Sequence, residues 1–200
     1  MSAPSSPYVP TKSVLRQAAL EARGDAHRVL GDEAASAITD HFLADIPCTA
    51  GMTVGGYFPI RSEADPLPLM EQLARRGHVC ALPRVSGAEE PLVFHRWAPG
   101  DDTVEGPFGT RVPPHEAEIV APDLLLVPLL SFDLKGTRLG YGGGFYDRTL
   151  AVLRAGRTCL AVGIGFSAQE QDLLPRDAYD EPLDWVVTEK GCRRFERDVV

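Results

Sequence analysis

Several features that would place a protein in a class at once are missing. The four cysteines, Cys48, Cys80, Cys159 and Cys192, lie 32, 79 and 33 residues apart, with no Cys-x-x-Cys pair. That spacing excludes a zinc framework and a dense disulfide scaffold, and it predicts buried free thiols. No apolar run approaches the roughly 20 residues of a membrane span. The opening stretch MSAPSSPYVPTK lacks the basic-then-apolar pattern of a secretory signal. Basic charge is also short. Lys and Arg number 20 against 28 Asp and Glu, a net charge of −8 in 200 residues. The balance argues against a general nucleic-acid coat or a polybasic membrane-surface protein, but not against one local anion site. No Ser/His/Asp or Cys/His hydrolase pattern stands out. His27, His41, His78, His95 and His115 are scattered, and surface or packing roles account for them. The expectation is a soluble, cytoplasmic protein with no nucleic acid, membrane or obligate protein partner.

What is present is enough for a folded domain. Apolar residues make up 44% of the chain, and 200 residues suit one domain. Residues 1–10 are Pro/Ser-rich and read as a flexible lead-in, and 11–200 as a single domain. Thr11 is a fair N-cap for a first helix with Val14, Leu15, Ala18 and Ala19 on one face. Ala34, Ala35, Ile38 and Phe42 predict a second helix over 32–44. Residues 52–58 read as a strand. Asp65-Pro66 opens the next helix, with Asp65 as cap and Pro66 at its first position; Gly77 stops it, and a strand follows over 78–82. Residues 92–97 read as another strand, and 99–118 as a long surface excursion. The run 123–130 (DLLLVPLL) suits a strand buried on both faces, with Pro128 near its end. A Gly-rich turn over 136–144, a helix over 145–154, a strand over 158–166 and a final strand over 184–188 complete the pattern. Alternating strands and helices predict an α/β, three-layer fold with a mostly parallel central sheet.

Five of the 19 glycines, Gly136, Gly140, Gly142, Gly143 and Gly144, fall within nine positions, after a buried strand and before a helix. Such a loop lets backbone N–H groups face an anion at a helix N-terminus, and phosphate is the natural occupant. Arg138 would add charge. The loop is neither a Walker A motif nor the dinucleotide fingerprint, and a tight turn without a ligand is the plainer alternative.

The stretch 124–150, LLLVPLLSFDLKGTRLGYGGGFYDRTL, closely resembles the signature of the 5-formyltetrahydrofolate cyclo-ligase (5,10-methenyltetrahydrofolate synthetase) family. Other segments resemble it in order and spacing. They are Lys12-Ser-Val-Leu-Arg16, Tyr57-Phe-Pro-Ile-Arg-Ser-Glu-Ala-Asp65, Leu82-Pro-Arg84, Val162-Gly-Ile-Gly-Phe-Ser-Ala-Gln169, Leu174-Pro175 and Asp180 to Glu189. The resemblance spans residues 12–189. It implies a Rossmann-like layered sheet and an ATP- and Mg²⁺-dependent ligase. That enzyme would convert 5-formyltetrahydrofolate into 5,10-methenyltetrahydrofolate by phosphoryl transfer to the formyl oxygen, giving ADP and phosphate.

The resemblance also implies a site. ATP would meet Lys12, Ser13, Val14, Leu15 and Arg16, then Arg138, Leu139, Gly140, Tyr141, Gly142, Gly143, Gly144, Phe145 and Tyr146. Arg16, Phe58, Glu63, Tyr141, Gly142, Gly143, Gly144 and Phe145 would meet the folate. Lys12, Arg138 and Tyr146 are the catalytic candidates, and Asp147 and Asp184 the Mg²⁺ ligands.

Each residue also has a plainer reading. Lys12 and Arg16, spaced i, i+4, could be a solvated face. Tyr146 could simply pack. Asp147 could favour the helix dipole and Asp184 cap a strand, with Asp177 and Asp180 as nearby competitors for the metal. Glu63 suits a pterin because one carboxylate accepts two N–H bonds from an aminopyrimidine edge. Arg84, at a strand end, is a weaker candidate for folate carboxylates or phosphates. The chain departs from the family pattern where Gly109-Thr-Arg-Val112-Pro113 puts valine in place of a common glutamate, and where Phe145 replaces a tyrosine found in some members. The rivals are a non-catalytic paralogue that keeps the nucleotide loop and another Rossmann-like enzyme, such as a sugar-phosphate isomerase or a CoA transferase.

Overall fold

The computed structural model describes residues 11–196, so the expected lead-in over 1–10 lies outside them. The first element, α1 (Lys12–Asp45), holds both expected helices in one kinked rod. Gly31, at φ 39° and ψ −125°, breaks the helical geometry between them. Thr11 sits at the N-cap, but its side chain makes no capping bond. The second half of α1 buries Ala34, Ala35, Ile38 and Phe42.

β1 (Thr53–Gly55) is shorter than the expected 52–58. Beyond it the Met70 sulfur lies 2.1 Å from where a Cβ on Gly56 would stand, and the chain turns away towards α2 (Leu67–Arg75). Pro66 rather than Asp65 holds the N-cap, so both expected positions shift by one residue; Asp65 Oδ1 still accepts the Leu67 N–H at 2.8 Å from just before the cap. Then come β2 (Val79–Val85) and β3 (Leu92–Arg96). The expected excursion carries a small ribbon of β4 (Val104–Glu105) and β5 (Arg111–Val112).

β6 (Leu124–Pro128) is the central strand, with Pro128 at its end. β7 (Ser131–Asp133) and β8 (Arg138–Leu139) follow. The expected single turn over 136–144 is thus two features. Gly136 (φ 78°) closes a tight hairpin, a two-residue strand intervenes, and only 140–144 is loop. The short β8 is invisible to periodicity because two residues carry no period. α3 (Phe145–Gly156), β9 (Leu160–Ile164), β10 (Glu170–Gln171) and β11 (Trp185–Thr188) come next. β11 is not the last strand. β12 (Gly191–Arg194) pairs antiparallel with it and lies at the sheet edge, where no apolar alternation is needed.

The main sheet runs β12-β11-β9-β6-β1-β2-β3, with its five inner strands parallel and both edge strands antiparallel. Side chains alternate across it. Leu124, Leu126, Val162 and Val187 join α1 and α2 in one core, while Leu125, Val127, Ala161 and Val186 join Leu150 of α3 in the other. Leu124 to Val127 are fully buried, worth roughly 1.5–3 kcal/mol each. The expected three layers follow: helices, mostly parallel sheet, helix. No helix among the described residues is long and apolar enough to cross a membrane.

Candidate active site

From β1 the chain crosses through α2 to β2 on one side. From β6 it crosses through α3 to β9 on the other. The neighbours β1 and β6 therefore lead in opposite directions, and their carboxyl ends open a crevice at this switch point. The loops over 56–66 and 140–144 face it, and the first half of α1 and the β4–β5 ribbon wall it. The cleft holds about 360 Å³. Lys12, Arg16, Phe58, Glu63, Arg138 to Asp147, Asp177 and Asp180 all line it. Parts of the resemblance motifs, from Lys12 to Asp180 in the sequence, meet here.

One end is an anion cradle. Gly142 (φ 99°) and Gly144 (φ 66°) adopt left-handed backbone that other residues resist. A Cβ on Gly142 would also stand 3.1 Å from the Arg16 guanidinium carbon. Among the described residues no acceptor meets the amides of 141–147, which converge at the N-terminus of α3. Arg16 Nε donates to the Gly140 carbonyl at 2.9 Å and Arg148 Nη2 to the Gly143 carbonyl at 2.9 Å, so two arginines clamp the loop. Arg148 also lies 5.1 Å from the Phe145 ring centroid. Arg138 is buried and donates to Asp147 Oδ1 at 2.7 Å and to the Glu181 carbonyl. Burial lowers its pKa against the pull of Asp147. Lys12 Nζ donates to Asp177 at 2.7 Å and Asp180 at 2.6 Å. Its partial burial acts to lower the pKa, but those hydrogen bonds outweigh it, and the ammonium is held above its usual value.

Lys12 and Arg16 share the cleft face, as their spacing predicted. Ser13, Val14 and Leu15 do not line it. The helix turns them away at about 100° per residue. Ser13 meets the Thr11 hydroxyl, Val14 is 55% exposed, and Leu15 packs beside Ala19, Leu130 and Leu139.

The other end is a dry carboxylate. Glu63 is only 4% exposed. Its Oε2 accepts the Ile60 N–H at 2.9 Å, and its Oε1 lies 3.7 Å from Arg23 Nη1. Burial raises its pKa, opposed by the Ile60 N–H, Arg23 and Arg61. The half-buried Phe58 forms part of the wall beside it. Tyr146 stands between the two ends. Burial and the Glu63 charge push its phenol far up, against Arg138, so it is a neutral O–H donor at physiological pH. Tyr141 is exposed, and its hydroxyl accepts from Arg23. Sequence reasoning missed Arg23 as a site residue. The available signal was its place seven residues after Arg16, two turns along the same face.

The two expected metal ligands are not brought together in the cleft. Asp147 lines it, and both of its hydrogen bonds, from Arg138 and from the Glu181 N–H (3.1 Å), fall on Oδ1. Oδ2 has no hydrogen-bond partner among the described residues. Asp184 lies outside the lining, where its Oδ2 accepts from Arg154 at 2.9 Å and from the Ala161 N–H at 2.8 Å. That corrects its expected place: it anchors Arg154 and β9 behind the cleft. Its competitors Asp177 and Asp180 do line the cleft, bound to Lys12. Among the described residues no three His, Cys, Asp or Glu side chains form a metal cage. Asp147, at the N-terminus of α3 beside the glycine loop, has the donor chemistry that fits Mg²⁺, which takes one or two carboxylates plus phosphate oxygens and water. Arg84 is outside the lining and donates to the Pro113 carbonyl. Val112, the family departure, is buried at the cleft margin and pairs with Val104.

A family model described as the 5-formyltetrahydrofolate cyclo-ligase family matches residues 9–189. The 5-formyltetrahydrofolate cyclo-ligase of Mycolicibacterium smegmatis is 32% identical over 188 residues, covering 90% of this chain and 94% of that one. The Haemophilus influenzae 5-formyltetrahydrofolate cyclo-ligase is 31% identical over 156 residues, covering 76% and 83%. The NMR structure of Aquifex aeolicus 5,10-methenyltetrahydrofolate synthetase superposes with a TM-score of 0.75 at 33% identity, covering 94% of this chain and 95% of that one.

Proposed function

The chain belongs to the 5-formyltetrahydrofolate cyclo-ligase family, a family of ligases, and from that premise we propose that it closes 5-formyltetrahydrofolate to 5,10-methenyltetrahydrofolate at the expense of ATP. The observation that carries the proposal is one cleft with an unpaired amide cradle at one end and a dry carboxylate at the other.

The chemistry needs both ends. A formamide oxygen is a poor leaving group. Transfer of the γ-phosphoryl group to that oxygen breaks the bond to ADP and makes a phosphorylated imidate. The N10 amine then attacks the formyl carbon, and the C–O bond breaks to release phosphate, which carries away the N10 proton. Positioning and charge neutralisation dominate such a step.

The amides of 141–147 and Arg138 bind the phosphates, and Arg16 holds the loop in its receiving shape. Lys12 exchanges its carboxylate partners for phosphate. Glu63 accepts the N–H edge of the pterin, Phe58 flanks the ring, and the Tyr146 hydroxyl donates at the junction where charge develops. Asp147 would hold Mg²⁺, which neutralises charge on the phosphates when bound.

The test is product absorbance after mixing the protein with 5-formyltetrahydrofolate, ATP and Mg²⁺. The expected result is the methenyl band, one ADP for each product, and no band without ATP. No ATP-dependent product would favour the non-catalytic rival. ADP release stimulated only by 5-formyltetrahydrofolate would decide against a sugar-phosphate isomerase or a CoA transferase.

A further inference from the structure

We propose that Arg23 is a positioning residue for the folate end. Its buried guanidinium orients the Glu63 carboxylate, keeps it charged, and ties it to the nucleotide loop. The inference rests on the reading of Glu63 as the pterin-binding acid.

Arg23 is fully buried on α1 and does not line the cleft. It sits behind the cleft and reaches two segments that face it. Nε donates to Ser62 Oγ at 3.2 Å, Nη2 donates to the Tyr141 hydroxyl, and Nη1 lies 3.7 Å from Glu63 Oε1. Its guanidinium carbon stands 5.3 Å from the Tyr141 ring centroid. Ser62 and Glu63 belong to the loop after β1, and Tyr141 to the glycine loop, so one side chain joins the two halves of the site.

The Glu63 contact has an unusual form. Nη1 is buried and has no hydrogen-bond partner among the described residues. Arg–carboxylate pairs frequently close to a bidentate fork at about 2.7–2.9 Å. A buried pair that falls short of that is often less stable than apolar packing of the same volume. At 3.7 Å the charges still attract, while the Oε1 lone pairs are not taken by Arg23. Those lone pairs are what an aminopyrimidine edge requires.

The charged and titratable groups facing Glu63 are Arg23 from α1, Arg61 and Tyr57 from its own loop, and Tyr146 from α3. Burial holds both tyrosines neutral, and Arg61 is exposed. Arg23 is therefore the buried cation opposing the desolvation of Glu63.

The experiment measures KM for 5-formyltetrahydrofolate and for ATP from about pH 5 to 8 in the wild type, Arg23→Gln, Arg23→Lys and Glu63→Gln, with thermal melts as a folding check. In Arg23→Gln the acidic limb of the folate KM is expected to move up by about one pH unit, and the ATP KM to stay within about twofold. In Arg23→Lys the charge remains but the Ser62 and Tyr141 bonds are lost. Its limb is expected at the wild-type pH, with a folate KM raised about threefold. A folded Arg23→Gln with an unmoved limb overturns the proposal. If Arg23→Gln does not fold, a wild-type folate KM in Arg23→Lys overturns it. Glu63→Gln is expected to raise the folate KM and flatten the limb. An unchanged folate KM there overturns the reading of Glu63 itself and, with it, the role of Arg23. A defective Glu63→Gln beside an unmoved Arg23→Gln limb overturns Arg23 alone.

Discussion

Where the cleft meets α3 it is lined by backbone amides and clamped by arginines; where it meets the loop after β1 it offers a single, nearly dry carboxylate. The amide end depends on shape. Its donors are main-chain groups present in any sequence, and only left-handed glycine conformations and the Arg16 and Arg148 clamps aim them. The carboxylate end depends on environment. Glu63 is an ordinary side chain made distinct by burial and by the cations around it. The two ends should therefore fail in different ways: the first through backbone geometry, the second through charge.

The largest effect should come from the shape-dependent end. Gly142→Val forces a β-branched residue into φ 99° against the Arg16 guanidinium, strain of about 1–3 kcal/mol concentrated in the loop. We expect kcat/KM for ATP to fall by at least ~100-fold, with the protein still folded and its melting temperature lowered by roughly 2–12 °C. Unchanged ATP kinetics would reduce the loop to a turn. Next, Glu63→Gln should raise the folate KM by about 10- to 100-fold and leave the ATP KM alone, since hydrogen bonds to a charged acceptor contribute about 1.5–3 kcal/mol. Equal losses for both substrates would erase the distinction between the ends.

Smaller and more local is the contrast between the two aspartates. Asp147→Asn should shift the magnesium titration to higher concentration. Asp184→Asn should leave the titration in place and lower thermal stability, because Arg154 loses an anionic partner. The opposite pattern would return Asp184 to the metal.

The smallest effect is a pH trend. The Glu63 pKa is raised by burial, so its protonated form is the one the fold favours. That contribution to stability is complete below the ordinary value of 4.5 and is lost as pH rises through the raised value. The melting temperature of Glu63→Gln minus that of the wild type should therefore become more positive from acid to neutral pH. A flat difference would mean that Glu63 is not desolvated.

Much of this was legible in one dimension. The run at 123–130, the helix after Asp65 and the helix after the glycine cluster carry local signals and stand where expected, whereas the cluster itself divides into a hairpin turn and a loop. The kink at Gly31, the two-residue β8 and the edge strand β12 were not, since none carries a hydrophobic period. Of the first-helix residues, Lys12 and Arg16 reach the cleft and Ser13 to Leu15 do not, a split that helical geometry imposes on a contiguous motif. Asp184 shows the converse. Its motif matches the family, but its carboxylate is committed to Arg154 and the Ala161 amide.

Hydrophobic pattern and turn chemistry, being properties of neighbouring residues, were enough to determine a layered α/β chain with a glycine loop between a strand and a helix, and the motifs were enough to determine its family. Only the tertiary structure decided which of those residues face one another. The opposite crossovers from β1 and β6 open the cleft between two loops far apart in the chain. Burial turns Glu63 from a surface acid into a desolvated carboxylate at the cleft, and the packing of α1 carries Arg23 behind it. Burial and long-range juxtaposition are sums over the whole fold, and no local stretch of sequence contains them.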